Sequence, residues 1–252
     1  MEFESAVPQL PLTGERTVPG IVEENYWFRR HEAAYLALRP YCVDAFVLEA
    51  GCGEGYGADL LARDAVGVLG IDYDALTLRH VAKAYPRVHT ARANLVALPV
   101  GSSTVDVVAN FQVIEHLWDQ EGFLRECLRV LRPGSRLLVT TPNRLTFSPG
   151  RDTPLNPFHT RELAPSEMDE LLRATGFEVE FLAGLRHGAR LGILDAEFGG
   201  SLIDAQVAVA VSGEPWPDAL RDAVASVTSA DFAITTDDLD TSLDIVAVAV
   251  RP

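Results

Sequence analysis

The chain has 252 residues, 48% of them hydrophobic, the size and composition of a globular chain with one sizeable core. Its 36 acidic residues against 21 basic ones give a net charge of −15, which argues against nucleic acid or an anionic membrane surface as a partner. No apolar run approaches the roughly 20 residues that span a bilayer, and Met1-Glu-Phe-Glu4 lacks the basic region and apolar core of a signal peptide.

Residues 1–20 are rich in turn-formers and read as an extended arm. Glu23–Leu38 reads as a helix dense in aromatics (Tyr26, Trp27, Phe28), followed directly by Arg29, Arg30 and His31. Pro40 is expected to end it. Cys42, Cys52 and Cys127 show no C-x-x-C spacing and read as reduced thiols of a cytoplasmic protein, with Cys52 a small packing residue. From residue 41 strands and helices alternate. Ala45–Ala50 is an apolar strand carrying Glu49 near its tip, followed by Gly51, Gly53, Gly55 and Gly57 and a helix over Ala58–Ala62. Val66–Asp72 is the second strand. Asp74 caps a helix over Ala75–Ala84, and Val88–Ala91 is the third strand. Val105–Asn110 is the fourth. Asp119 caps a helix whose Phe123, Leu124, Cys127, Leu128 and Leu131 share one face. Arg132-Pro-Gly134 turns into a fifth strand, Arg136–Thr141. Ser166-x-x-Asp169 starts a helix that Gly176 ends, Phe177–Leu182 is a strand, and Leu243–Val250 is the last. Residues 186–242 form an insertion, with helices expected over Ser201–Val211 and Asp218–Val227, fit for a lid or a dimer contact. The alternation argues for an α/β fold, a doubly wound, Rossmann-like, mostly parallel sheet. The arm and first helix occupy residues 1–40, and the α/β body residues 41–252.

A strand, a glycine turn and a helix make a nucleotide-binding unit. Gly53-x-Gly55-x-x-Ala58 also fits the dinucleotide pattern, so an NAD-dependent oxidoreductase stands as the alternative. Glu49 favours an adenosyl ligand, because a carboxylate there attracts a cationic aminoacyl group and repels a pyrophosphate. The turn also holds no lysine or arginine to neutralise phosphates.

The run Phe46–Gly57, then Asp72, Asn94-Leu95, Val105–Val108 and Val130-Leu-Arg-Pro-Gly134 in that order, resembles the class I S-adenosylmethionine-dependent methyltransferases. The resemblance covers about the whole chain. It implies seven strands in the order 3-2-1-4-5-7-6 with the final strand antiparallel. It also implies that the first helix covers the cofactor, with Tyr26 and Arg30 closing the carboxylate end. Glu49, Gly51 and Gly53 line the cofactor. Asp72 takes the ribose hydroxyls, Tyr73 flanks the adenine, Asn94 bonds its edge and Leu95 packs on it. Phe111 and Gln112 lie beside the methionine part.

The acceptor side centres on Asn110–Asp119, where Gln112, Glu115 and His116 fall on one side of a helical turn. The stretch resembles the Glu-x-x-Glu-His segment of ubiquinone-pathway O-methyltransferases, which holds a divalent cation. Gln112 replaces the first carboxylate, and an amide oxygen is a poorer ligand for Mg²⁺ though still a hard one. His116 is alternatively the general base, with Glu115 holding the resulting cation. A proline-stiffened stretch then offers Asn143, Asn156, Phe158 and Arg161 to a sugar, with His159 a second base or ligand. His187 and Arg190 are weaker candidates.

A closer resemblance runs through Leu12–Arg16, Glu24–His31, Phe111–Gln120, Phe147–Asp152 and Asn156–Glu162. It is to the mycobacterial 1-O-methyltransferases of methylmannose polysaccharide precursors. It implies methylation of the anomeric hydroxyl of a short 3-O-methylated mannoside, Mg²⁺ dependence and a homodimer. A quinone precursor or glycolipid sugar is the alternative acceptor, and a non-catalytic adenosyl-binding protein the third reading.

Overall fold

The computed structural model describes Leu10 and residues 16–252. Of the leader segment, Leu12, Thr13, Gly14 and Glu15 lie outside the described residues. Eight strands form one mixed sheet: β1 (Phe46–Ala50), β2 (Gly67–Asp72), β3 (Val88–Arg92), β4 (Val105–Phe111), β5 (Leu131–Pro142), β6 (Glu178–His187), β7 (Phe232–Thr235) and β8 (Asp244–Val250). Their order is β3-β2-β1-β4-β5-β8-β6-β7. The first five pair in parallel. The final strand, β8, runs antiparallel to both β5 and β6.

The expected seven-stranded order is therefore corrected. The insertion contributes β7, which pairs antiparallel with Gly184–His187 at the edge beyond β6. Phe232-Ala-Ile-Thr235 alternates apolar and small or polar residues, so a short strand there buries Phe232 and covers an otherwise open edge. β5 also starts earlier than its sequence suggests, because Leu131 pairs with Val105 before a bulge.

Nine helices flank the sheet among the described residues: α1 (Asn25–Leu38), α2 (Tyr56–Leu61), α3 (Ala75–Ala84), α4 (Gln120–Val130), α5 (Arg144–Phe147), α6 (Pro165–Ala174), α7 (Ala189–Glu197), α8 (Leu202–Ser212) and α9 (Asp218–Ser226). Alternating strand residues serve two cores, as a period of two requires. Val47, Leu138, Val246 and Val248 pack with α1, α2, α3 and α7–α9. Leu48, Leu137, Val139 and Ala247 pack with α4 and α6. Asp74 and Asp119 cap α3 and α4 through Leu76 N and Gly122 N, both at 2.8 Å. Ser166 does not begin α6. Pro165 opens it, and Glu167 accepts the Ala164 N–H at 2.6 Å. The α-helix ends at Leu38, ahead of Pro40 as expected, and a 3₁₀ turn over Arg39–Cys42 follows it.

The chain winds outward from β1 to β3 and then returns to place β4 on the other flank of β1. The crevice beyond the carboxyl ends of β1 and β4 is thus the switch point where open α/β sheets bind ligands. No helix among the described residues is long and apolar enough to cross a membrane.

Candidate active site

A cavity of about 910 Å³ opens at that switch point. The glycine turn forms its floor. Gly51 N and Cys52 N both donate to Ile71 O, at 2.8 and 2.9 Å, folding the turn over β2. Gly53 has φ +50° and faces open space, so backbone lies bare to whatever enters. At Gly55 (φ +101°) a methyl group would sit 2.8 Å from Val81 and 2.9 Å from the Tyr85 ring, so close packing demands glycine. Glu54 locks the turn onto α3, accepting from His80 at 2.7 Å and Tyr85 at 2.8 Å.

Asp72 lines the cavity at the end of β2. Its carboxylate accepts Gly53 N at 3.1 Å and Asp74 N at 2.9 Å. Burial raises its pKa and those two N–H groups oppose the rise. Tyr73, Asn94 and Leu95 line the same wall. Asn94 turns its Oδ1 to Val96 N at 3.1 Å, and Leu95 is buried. This group can take a ribose diol and an adenine.

Glu49 stands one step back from the cavity. The Tyr35 hydroxyl donates to its Oε1 at 2.5 Å, and Tyr35 itself lines the space. Glu49 Oε2 is buried without a partner among the described residues. Burial pushes this carboxyl up to about 8, against the hydrogen bond from Tyr35. Phe111 packs edge-on to Tyr35 at 4.5 Å. Gln112 follows at the tip of β4 with φ +57°, a left-handed conformation unusual for its type. The bond Gln112 N→Thr140 O, 2.8 Å, holds it there.

Tyr26 and Arg30, expected at the carboxylate end of the cofactor, both have partners within the protein, and Arg30 also lines the smaller cavity described below. The Tyr26 hydroxyl is buried against His187 Nε2 at 2.6 Å, and the residue lines neither cavity described here. Arg30 is spent in a buried ion pair with Asp244, 2.7 Å from Nε and 2.5 Å from Nη2, with Leu243 O at 2.9 Å. The helix and its cap present Trp27, His31 and Tyr35, spaced four apart, to the two cavities, together with Glu24 and Arg30 at the smaller one. Arg16 and Thr17 of the arm also line the space. Arg16 bonds Asp74 at 3.2 Å and also Thr77.

A second cavity of about 230 Å³ adjoins the first through Arg16, Thr17, His31, Gln112 and His116. Glu24, Arg30, Glu115, His159 and Asn156 complete its polar wall, with Trp27 and Phe147 as aromatic faces. Burial pushes Glu115 up to about 7, opposed by His159 and by the Thr141 hydroxyl at 2.9 Å. Glu24 is also raised, by burial and then by Glu23. Burial drives His31 down to about 4.

His116 Nδ1 lies 3.0 Å from the Phe158 carbonyl. A carbonyl only accepts, so Nδ1 carries the proton and Nε2 the lone pair. His159 packs edge-on to this ring at 4.8 Å, its Nδ1 2.7 Å from Glu162 and its Nε2 3.1 Å from Asn156 Nδ2. Glu115, His116 and His159 bring ligand atoms within 4.8 Å of one another. Gln112, expected in the ligand set, lines the same cavity, with its Nε2 3.4 Å from Thr140 Oγ1. Thr160 and Gln120, unremarked in the sequence, tie the two segments together. Thr160 N reaches Glu115 O at 2.7 Å, and Gln120 Nε2 reaches Ile114 O and Arg161 O at 3.0 and 2.9 Å.

Two expected acceptor residues do not face either cavity. Asn143 is buried, donating to Leu239 O, Asp240 O and Ser242 O and capping α5 through Leu145 N. Arg161 is exposed beyond the rim. Arg190 pairs with Asp231 at 2.7 Å, and His187 lies between Tyr26 and Asp195.

The methyltransferase domain family matches residues 48–139. A probable S-adenosylmethionine-dependent methyltransferase of Mycolicibacterium smegmatis is 60% identical over 253 residues, covering 99% of this chain and 98% of that protein. A protein of the same description from Mycobacterium tuberculosis is 57% identical over 247 residues, covering 96% and 90%. A ubiquinone biosynthesis O-methyltransferase of Parvibaculum lavamentivorans is 31% identical over 112 residues, 43% of this chain and 44% of that one. The solved structure of an S-adenosylmethionine-dependent methyltransferase from Mesorhizobium loti has a TM-score of 0.56 at 20% identity, over 87% of this chain and 98% of that one, a likeness of fold. With a relative of such identity matched nearly end to end, the chain belongs to the S-adenosylmethionine-dependent methyltransferases and is an enzyme that uses that methyl donor.

Proposed function

We propose that the protein is an O-methyltransferase acting on a sugar hydroxyl, the anomeric hydroxyl of a short 3-O-methylated mannoside. In this reading the cofactor fills the larger cavity, its ribose on Asp72 and its adenine between Tyr73 and Leu95, with Asn94 at the edge. Its methionine part lies toward Tyr35, Phe111 and Gln112. The acceptor ring enters the smaller cavity, and the two meet at His116. Residues 1–40 act as the cover and residues 41–252 as the methyltransferase body.

The observation that carries the reading is the Phe158 carbonyl on His116 Nδ1, because it leaves Nε2 as the basic nitrogen at the seam of the two cavities. The sulfonium methyl group is already activated, so the enzyme's work is alignment and removal of one proton. The acceptor oxygen attacks the methyl carbon in line with the departing sulfur, which leaves as a neutral thioether. The hydroxyl proton passes to His116 Nε2, and Glu115 supports the cation so formed. An anomeric hydroxyl is more acidic than an ordinary alcohol and suits so weak a base.

The smaller cavity favours a neutral polyol. Glu24 is shifted toward its uncharged form, His31 is held neutral, and Asp244 neutralises Arg30.

A second role for the same residues rests on the cluster of Glu115, His116 and His159. Phe158 O and Glu162 hold the two Nδ1 atoms, the outer arrangement that metal-binding histidines use. Two imidazoles and one carboxylate suit a borderline transition ion better than Mg²⁺. Such an ion would lower the acceptor hydroxyl's pKa.

Methyl transfer to free and 1-O-blocked mannosides, with and without chelator, tests these readings. His116→Ala is expected to lower kcat by about 10²-fold or more while cofactor affinity measured by calorimetry holds. Unchanged turnover removes His116 from the mechanism, and transfer to the 1-O-blocked sugar removes the anomeric assignment. Loss of activity in chelator that Mn²⁺ restores favours the metal role. A homodimer, formed through the insertion, is part of the proposal and is checked by sedimentation.

A further inference from the structure

Glu49 is a buried acid that the transfer step described above does not use. Its strand neighbours are Gly70 on β2 and Ala109 on β4, and neither carries a charge. Four titratable groups face it from the elements packed around it: Tyr35 on α1, Cys42 in the 3₁₀ turn, Cys52 in the glycine turn and Tyr56 at the start of α2. Burial raises the pKa of all four, that of Cys42 to about 12, so they stay uncharged near neutrality. No cation among the described residues offsets the burial of Glu49, and its Oε2 has no partner among them. A carboxylate so placed lacks a counter-ion. Tyr35, Cys52 and Tyr56 all line the larger cavity, so that cavity is where a counter-ion can enter. Tyr35 is fixed between the two. Phe111 stands edge-on to its ring at 4.5 Å, and any side chain at Gly57 would overlap its hydroxyl.

We propose that Glu49 makes the enzyme prefer the methyl donor to the spent cofactor, by attracting the sulfonium that only the donor carries. The inference rests on the cofactor filling the larger cavity, and it is independent of the acceptor. Donor and product share the adenosine, the carboxylate and the ammonium. They differ by one methyl group and one positive charge. A pocket that read only the shared parts would hold the product as tightly as the donor. Transfer turns the sulfonium into a neutral thioether, and the attraction to Glu49 weakens at that moment.

The same attraction couples binding to a proton. With the cavity empty, Glu49 holds a proton up to about pH 8. A cation beside it favours the ionised form, so the donor expels that proton to solvent as it enters. Donor affinity therefore rises with pH below that value. The thioether expels less, and solvent returns the proton to Glu49 once the charge has gone.

The test is calorimetric titration with S-adenosylmethionine and S-adenosylhomocysteine at pH 5.5 and 7, where the α-ammonium of both ligands stays protonated. In the parent enzyme the ratio of product Kd to donor Kd is expected to rise about three- to fivefold between the two pH values. Glu49→Gln lowers the ratio at pH 7 about fivefold and makes it the same at both. Sinefungin, which carries a protonated amine in place of the sulfonium, follows the donor. Buffers of different ionisation enthalpy show the donor releasing more protons than the product in the parent, and the two alike in Glu49→Gln. Asp72→Asn touches only the shared ribose, so it weakens both ligands and leaves the ratio as it was. The pH series on the parent needs no variant and decides the matter even where Glu49→Gln fails to fold. A ratio that is flat with pH, or unchanged in Glu49→Gln, overturns the discrimination and leaves the cofactor site standing. Full affinity for both ligands in Asp72→Asn overturns the cofactor placement itself.

Discussion

Glu49 offers a test of how this interior handles charge. Its carboxyl is 1% exposed, takes one hydrogen bond from Tyr35, and leaves Oε2 unpartnered among the described residues. Burial raises its pKa from 4.5 to about 8. In the pH range between those values the folded state holds a proton that the unfolded state has released. Stability therefore falls as pH rises. The contribution is fully present below about pH 4.5 and is lost on passing about pH 8. At about 1.4 kcal/mol per pH unit the whole interval is worth at most about 5 kcal/mol, a large share of a total that is ordinarily about 5–15 kcal/mol. Glu49→Gln removes the titration and keeps an oxygen for the Tyr35 hydroxyl. Urea denaturation of parent and variant without cofactor, between pH 5 and 8.5, should show the variant gaining on the parent as pH rises. Parallel curves across that range would refute the reasoning and return Glu49 to an ordinary pKa.

Asp72→Asn is expected to weaken cofactor binding about 10- to 100-fold by calorimetry, the worth of charge-assisted bonds to a diol; unchanged affinity would remove Asp72 from the ribose. Arg30→Met strands the Asp244 carboxylate in the core and should cost about 3–5 kcal/mol in denaturation. Cofactor affinity of the folded variant should stay within about threefold, whereas a carboxylate-binding Arg30 would lose far more. Gly55→Ala combines a φ of +101° with contacts of 2.8 and 2.9 Å to Val81 and Tyr85. It should cost about 1–3 kcal/mol, and a neutral result would show that α3 yields easily.

The strands and the glycine turn were legible because their signals are local. Short apolar runs specify β1, β2, β4 and β8 to within a residue or two. Asp74 and Asp119 announced their helices by position alone. What escaped depended on partners remote in the chain. Arg30 meets Asp244 across 214 positions, and no spacing near Arg30 hints at it. Asn143 looked like a free polar loop residue, yet its amide is used by carbonyls almost 100 positions away. β7 was missed because four residues inside a helical insertion give too short a pattern to separate from a turn.

The rotation of α1 is set by partners remote in the chain. An α-helix advances about 100° per residue, so the stripes Tyr26–Arg30–Ala34 and Trp27–His31–Tyr35 are equally plausible cavity walls from spacing alone. The fold decides between them through the insertion. Asn25 Nδ2 donates to Val224 O and Val227 O, at 2.9 and 3.0 Å, beside the end of α9. Tyr26 bonds His187, whose Nδ1 lies 2.6 Å from Asp195, which in turn accepts Leu202 N at 2.9 Å at the start of α8. Arg30 closes the series on Asp244 at the start of β8. Three successive anchors thus fix both the position and the rotation of α1. With Asn25 and Tyr26 held by the insertion and Arg30 by β8, Trp27, His31 and Tyr35 face the two cavities, and Arg30 reaches the edge of the smaller one.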